Sequence, residues 1–499
     1  MKSARNFWDK ISKEKKYKIL VAAILIFASV WALILASRQQ VWFDESYSIW
    51  ITKGKSFSET VSLTSVDAHP PFYYLILNLW GNLVGWNFFG LRILSVIFFI
   101  LSIFVAMKFT QSIFGRKMAI ISGAVVAFSP FLLRYSFEIR MYSLASLITV
   151  ASTYALFLAQ KTPKSKKLWI IYAILVATGM WTLYTLAIVF LSHFLILISK
   201  NLSQKNYKIW QENWFKSYVL AVVLWLPWLQ SFIFQLKNSA SSGIGDYIGF
   251  SQIENMFNFL FFYQPVGAVA PIFALVGLPL VIWLVLQNKK YFSESKILFH
   301  SAFVPFLITI VLSQPIWLKK PFFVERYMSQ FVILAYLVLA ICIAKILLLS
   351  NKRRSLVIVV SILVVVIVGN FNLWRVGNFN FQNYRLSNAR ENMDKIASIC
   401  GKNTVVMDDI YLFMELELYN DSRCDFRIFT PDARSYGGGY APINNFERRI
   451  IGADIFKTPD ILAVMNKDKK PDFLDRFIEQ KQENLPYFEN LSIYKLSKK

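Results

Sequence analysis

The strongest constraint on this chain is the spacing of its apolar residues. Uncharged, largely apolar stretches run over 19–37, 93–107, 118–133, 141–160, 168–199, 217–236, 255–288, 297–318, 327–344 and 355–374. Most approach the roughly 20 residues that a helix needs to cross a bilayer core. At 499 residues, 56% hydrophobic and 17% aromatic, the chain has more apolar surface than one aqueous core can hide. The pattern predicts a polytopic α-helical membrane protein.

A net charge of +24 suggests nucleic acid in a soluble protein, but its distribution argues against such a partner. Residues 1–373 carry 35 basic and 12 acidic residues, whereas 374–499 carry 19 and 18, so the excess lies in the apolar part. There it forms short clusters between apolar stretches: Lys10 to Lys18, Arg116-Lys117, Lys161–Lys167, Lys200–Lys208, Lys289-Lys290 and Lys352–Arg354. The positive-inside rule places these on the cytoplasmic side. Keeping each cluster inside requires two short helices within 168–199, turning near Gly179–Tyr184, and one crossing at about 263–287 after an outer loop. The expectation is about eleven transmembrane helices in the plasma (inner) membrane. A basic cytoplasmic N-terminus (1–18) precedes a transmembrane domain (19–373), and an extracytoplasmic domain (374–499) follows it. The first span, long and without a small-residue cleavage site after it, reads as an uncleaved anchor.

The segment 38–87 is an outer one, rich in aromatics. Its second half, Pro70–Trp86, reads as a short helix opening on Pro70-Pro71 and lying at or dipping into the outer interface. Beyond Trp374, strand-like 403–407 and 421–430 and helix-like 388–399 and 472–482 predict a small α/β domain. Cys400 and Cys424 share it, either bonded or as two thiols, and no metal-type Cys/His cluster exists. No repeat of fixed period is present.

Of the 12 acids in the membrane part, eight fall outside in this topology: Asp44, Glu45, Glu59, Asp67, Glu138, Asp246, Glu254 and Glu325. Topogenesis does not demand this, and acids at helix ends of an apolar protein are functional candidates. Asp44-Glu45 sits among aromatics just after the first span. On a helix, neighbours point about 100° apart, so one carboxylate can act as base while the other orients it or binds hydroxyls. In Asp67-Ala68-His69-Pro70-Pro71 an imidazole stands beside a helix start, a natural anion site. Arg134 to Tyr142 places Arg134, Glu138 and Arg140 at an outer boundary, against the positive-inside trend, where a phosphate would partner the guanidiniums. Arg92 and the segment with Lys320, Glu325, Arg326 and Tyr327 add further cations. A carboxylate base near several cations suits displacement of a phosphate from an anomeric carbon, and a lipid-linked donor explains an interfacial site.

In these residues the chain resembles the GT-C glycosyltransferases, in particular the group of protein O-mannosyltransferases and lipid A aminoarabinose transferases. The resemblance covers about 1–345. It rests on the acidic pair after the first span, on His69-Pro70-Pro71-Phe72-Tyr73-Tyr74 against an HPPLYY-like pattern, and on Gly90-Leu91-Arg92 opening a span. Ser136–Tyr142 against a SQEARMY-like pattern and the late Arg326-Tyr327 complete it. Where the family often shows Gln-Glu-Ala-Arg, this chain has Phe137-Glu138-Ile139-Arg140, which keeps the charges. The resemblance implies a GT-C-like fold and an inverting transfer from a polyprenyl-phosphate sugar to a glycan, lipid or protein acceptor. Asp44 is then the general base and Glu45 its support. The donor-binding set is His69, Arg92, Glu138, Arg140, Tyr142, Lys320, Arg326 and Tyr327.

A transporter or flippase of lipid-linked sugars is the alternative from another class. It predicts charges at the bilayer midplane and repeated discontinuous helices; the spans are almost free of charge and show no repeat. The paired carboxylates are also able to hold a divalent cation, but few outer ligands stand beside many cations, which favours a metal-free site.

Overall fold

The computed structural model describes residues 12–239, 247–263, 289–314, 316, 325–375, 379–380, 385–386, 389–436, 438–458, 460–466, 474, 477–485 and 491–498. The chain divides into two compact units, one of 1–37 with 89–375 and one of 38–88 with 376–499. The expected crossing at 263–287 and most of the Ser239–Gly245 stretch lie outside the described residues.

The first unit is an integral membrane helix bundle. Among the described residues, eight helices are long and apolar enough to span: Lys13–Arg38, Phe88–Phe114, Tyr142–Lys161, Leu186–Ser203, Asn213–Lys237, Ser295–Leu312, Arg326–Leu347 and Lys352–Arg375. Helices are the natural solution in lipid, because each satisfies its own backbone hydrogen bonds. The apolar faces left open match this solvent. On Lys352–Arg375, for example, Leu356, Val360, Leu363 and Ile367 are all exposed.

The region 168–199 holds two helices, Lys166–Thr182 and Leu186–Ser203, which turn at 183–185. The expected stretch 118–133 is broken instead, into Arg116–Ala127 and Pro130–Tyr135. Ser129 is extended at the break (φ −69°, ψ 120°), as a residue before proline prefers, and Pro130 has no N–H to continue the ladder.

The bundle packs through small residues and polar ties. Ala28, Ala32 and Ala36 recur every four residues on one buried face of the first helix, letting a neighbouring backbone approach. Trp31 Nε1 donates to Asn370 Oδ1 (2.7 Å), and Asn370 Nδ2 donates to the Phe128 carbonyl (2.9 Å). Deeper in the bundle His193 contacts Thr153 Oγ1 (3.2 Å) and the Tyr172 hydroxyl (3.1 Å), and Tyr172 pairs with Tyr218 (2.9 Å). Such a chain fixes four helices in register, since any slip would strand a buried polar group.

The second unit is discontinuous in sequence. Its sheet is built from β3 to β8, after the two-residue strands β1 (Phe379–Asn380) and β2 (Arg385–Leu386), which pair with each other. β3 is Thr404–Met407, β4 Asp425–Thr430, β5 Arg449–Ile451, β6 Ile461–Asn466, β7 Phe477–Asn484 and β8 Leu491–Lys498. The order is β5-β4-β3-β6-β8-β7, parallel from β5 to β6 and antiparallel at β8 and β7. The central β3 is buried on both faces, as parallel strands between covering layers are. Helix Ala389–Cys400 precedes β3 and helix Ile410–Asn420 connects it to β4. A disulfide joins Cys400 to Cys424.

One expectation here is overturned: 472–482 is not helical where it is described, because Phe477–Asn484 forms β7 against β8. Its Glu, Gln and Lys residues favour a helix in isolation, but edge pairing and burial of Phe477 override that preference. At 421–430, Asp421 and Ser422 make a turn with positive φ, and the strand begins only at Asp425.

Candidate active site

In the second unit the acidic pair lies in the first turn of a short helix, Phe43–Trp50, where the positive helix end favours carboxylates. Both are buried, Asp44 at 7% and Glu45 at 1% exposure. The helix is held from several sides. Just before it, the Val41 N–H donates to the Tyr419 hydroxyl (2.7 Å). At its far end Trp50 Nε1 donates to the Met414 carbonyl (2.9 Å). Just after it, the carbonyls of Thr52 (2.9 Å) and Lys55 (2.8 Å) accept from Asn78 on helix Phe72–Val84. At 13 residues that helix is about 20 Å long, short of a crossing.

Beside Asp44 stands an aromatic group. The Phe43 ring meets Tyr411 edge-on at 3.7 Å, and Tyr411 lies 4.6 Å from Tyr440. Burial pushes the Tyr411 phenol well above its ordinary value, helped by its hydrogen bond with Tyr440 and by the charges of Asp44 and Asp409. His69 Nδ1 sits 3.3 Å from Asp67 Oδ2, so the imidazole already has an acidic neighbour. Asp44, Glu45, Asp67 and His69 thus all belong to this unit.

The first unit carries the cations. Residues 129–146 are buried throughout, although 136–141 has no helical ladder of its own. A buried irregular segment must find partners for its polar groups. Arg134 Nη1 lies 3.5 Å from Glu138 Oε2, with the side chains only 4% and 1% exposed. Arg140 (3%) and Tyr142 (1%) are buried alongside in the same segment. Arg92, also buried, donates to the Ala36 carbonyl at 3.0 Å, near the end of the first helix. The Arg326 guanidinium lies 5.8 Å from the Tyr327 ring centroid.

Serines about one turn after these residues stitch the segments together. Ser95 donates to the Glu138 carbonyl (2.5 Å), Ser146 to the Ser329 carbonyl (2.9 Å), and Ser329 to the Arg326 carbonyl (2.7 Å). The structure therefore links the segments of Arg92, Glu138, Arg140, Tyr142, Arg326 and Tyr327 within one unit. Lys320 lies outside the described residues. Among the described residues no group of three or more His, Cys, Asp or Glu is placed to hold a metal ion.

Sequence reasoning missed the residues that position these groups. Asn78 was detectable, with Asn82, as one of two amides in an otherwise apolar helix, and Ser95 and Ser146 only as serines one turn beyond a charged or aromatic candidate. Nothing local marked Tyr411, Tyr419 or Tyr440, whose roles depend on long-range packing.

Residues 68–230 match the sequence profile of the dolichyl-phosphate-mannose-protein mannosyltransferase family. No curated protein sequence matches the chain. Among solved structures it is similar to ArnT from Cupriavidus metallidurans in the apo state, with TM-score 0.60, 12% identity, and coverage of 97% of this chain and 98% of that one. The same protein bound to undecaprenyl phosphate gives TM-score 0.61 and 13% identity over the same shares, 97% and 98%. The oligosaccharyltransferase of Archaeoglobus fulgidus in the apo form gives TM-score 0.50 and 11% identity over 90% of this chain and 70% of that one. The resemblance to the GT-C glycosyltransferases therefore holds, in the sequence of 68–230 and in the fold of nearly the whole chain.

Proposed function

We propose that this GT-C-fold membrane protein is an inverting glycosyltransferase that moves a sugar from a polyprenyl-phosphate carrier to a glycan, lipid or protein acceptor at the outer membrane face. The observation that carries this reading is the burial of Asp44 and Glu45 in the first turn of a helix pinned by Tyr419, Trp50 and Asn78. Burying two carboxylates is costly, and a fold that positions them this firmly uses them. The match of 68–230 to a family named for a dolichyl-phosphate-mannose donor supports a lipid-linked donor, as does undecaprenyl phosphate bound to ArnT.

In this mechanism Asp44 takes the proton of an acceptor hydroxyl as its oxygen attacks the anomeric carbon. The bond from that carbon to the phosphate oxygen breaks with its electron pair, and the polyprenyl phosphate departs. Glu45 binds acceptor or sugar hydroxyls and orients the base. Arg92, Arg140 and Arg326, with His69 and Lys320, stabilise the charge on the leaving phosphate. Glu138 keeps the guanidiniums of its segment oriented, while Tyr142 and Tyr327 flank the donor. Attack opposite the leaving group inverts the anomeric centre. We assign 1–18 to the cytoplasm, 19–373 to the membrane domain and 374–499, with the loop 38–87, to the outer face.

The test is transfer by the purified protein reconstituted with polyprenyl-phosphate sugars and glycan or protein acceptors. Asp44→Asn is expected to lose about 10²–10⁴-fold in kcat, the usual contribution of a general base. Undiminished transfer by the variant removes Asp44 from the role. Lipid-linked sugar that crosses the bilayer without being consumed assigns the chain to transport instead.

A further inference from the structure

The acceptor side of the reaction has its own candidate surface, in the α/β part of the second unit. We infer that Tyr411 and Tyr440 form a stacking platform for a carbohydrate acceptor, presenting one of its hydroxyls to Asp44. This rests on the reading of Asp44 as base.

Three observations support the platform. The first is position: Phe43, the residue before Asp44 on the same helix, touches Tyr411 ring to ring, with centroids 3.7 Å apart. The second is exposure. Tyr411 is 38% exposed on a helix whose Ile410, Leu412, Phe413, Met414, Leu416 and Tyr419 are buried, and Tyr436 and Tyr440 are partly open. Single exposed rings are ordinary, but these three neighbour one another at 4.6 and 6.3 Å, and a contiguous patch marks a contact surface.

The third is preorganisation. The loop carrying Tyr436 and Tyr440 is fixed before and within its glycine run. The Tyr436 N–H donates to Asn444 Oδ1 (2.7 Å), and Asn444 Nδ2 donates back to the Tyr436 carbonyl (2.8 Å). The Gly438 N–H donates to the Val66 carbonyl at 2.8 Å. A Cβ on Gly439 would lie 3.2 Å from Phe43, so the loop rests on that ring at a distance only glycine permits without a shift. Arg449 braces the loop, donating to Thr430 Oγ1 (2.9 Å) and to the carbonyls of Asp432 and Arg434 (3.0 Å each). A surface ordered before binding loses little entropy on binding.

The chemistry selects a sugar among the acceptor classes. A pyranose has C–H faces that lie on aromatic rings and hydroxyls around its edge. Here the phenols of Tyr411 and Tyr440 stand at the edges of their own rings, and the Arg434 guanidinium lies 5.2 Å from the ring of Tyr436, which neighbours Tyr440 at 6.3 Å. An acyl chain has no use for those donors. A peptide would seek backbone partners, but the Tyr436 and Gly438 amides are already bonded within the unit.

The experiment is ligand-observed NMR on the full-length protein in detergent, with maltose, chitobiose and α-1,6-mannobiose as probes. Saturation transfer to at least one disaccharide is expected in the wild type and in Asp44→Asn. It should fall at least fivefold in Tyr411→Ala and in Tyr440→Ala, and persist in Tyr411→Phe, which keeps the ring. Absence of transfer to all three sugars, or equal transfer in Tyr411→Ala, overturns the inference. So does binding of a serine-rich peptide or a lysophospholipid in place of the sugars. Because this readout needs no turnover, it is independent of the base assignment: sugar binding by an Asp44→Asn protein that still transfers refutes the base and leaves the platform.

Discussion

Gly369 offers a measurement of how tightly the membrane bundle is closed. It lies near the end of Lys352–Arg375, where a Cβ would stand 2.4 Å from the Phe261 carbonyl oxygen and 2.5 Å from Pro130 Cγ. Neither atom belongs to a flexible side chain, so relief requires one helix to move by about 1 Å. That movement is resisted on both sides: Asn370 donates to the Phe128 carbonyl and Asn372 to the Phe262 carbonyl, each at 2.9 Å. Overpacking costs about 1–3 kcal/mol. Stretching either hydrogen bond adds about 1 kcal/mol. Against this, alanine gains about 1 kcal/mol over glycine within a helix. Gly369→Ala is therefore expected to destabilise by about 2 kcal/mol, which at roughly 2 °C per kcal/mol in a long chain lowers the melting temperature by about 4 °C. The assay is thermal unfolding of the purified protein in detergent, with Ser361→Ala on the exposed face of the same helix as control. A Gly369→Ala protein that melts at or above the wild type would refute the reasoning, because propensity would then outweigh the contact.

Two further outcomes concern the segment 38–88. The Glu59 carboxylate accepts from the Ser56 N–H and hydroxyl at 2.7 Å each, and the Ser56 N–H with the Ser56 hydroxyl holds its pKa below the ordinary carboxyl value. A depressed folded pKa means the cap is fully present above the unfolded value and is lost as pH falls through the folded one. Protection of the 57–60 amides, measured relative to intrinsic exchange at each pH, should fall in that acid window, and Ser56→Ala should show the reduced protection already at neutral pH; wild-type protection that does not change with pH would exclude the cap as the cause. The assigned orientation predicts that an impermeant thiol reagent added outside intact cells labels a cysteine at exposed Ser58 but not one at exposed Lys164. The reverse pattern inverts the topology.

The membrane architecture was legible because lipid imposes one rule on every span, and the placement of basic clusters alone led to a turn near Gly179–Tyr184, which the structure has at 183–185. The break at Ser129-Pro130 was hidden by composition, since every residue of that stretch is apolar or small and only the proline signals it. β7 was misread because its Glu, Gln and Lys residues report local preference, whereas its pairing with β8 is settled by neighbours in space. Asp44 and Glu45 were conspicuous as acids in an apolar setting. Their supports were not, because Tyr411 and Tyr419 resemble ordinary tyrosines of an amphipathic helix until Phe43 and Val41 are seen against them.

The acid-bearing segment 38–88 and its folding partner 376–499 are separated by the whole of 89–375. Synthesis at about 5–20 residues per second puts roughly 15–60 s between them. During that interval Asp44, Glu45 and their aromatic neighbours lack Tyr411, Tyr419 and Met414. A ribosome that stalls or a transcript that ends before the last quarter of the chain thus leaves an inserted bundle whose acidic helix has no dock. The order of emergence ties docking of the acidic helix to completion of the last quarter of the polypeptide.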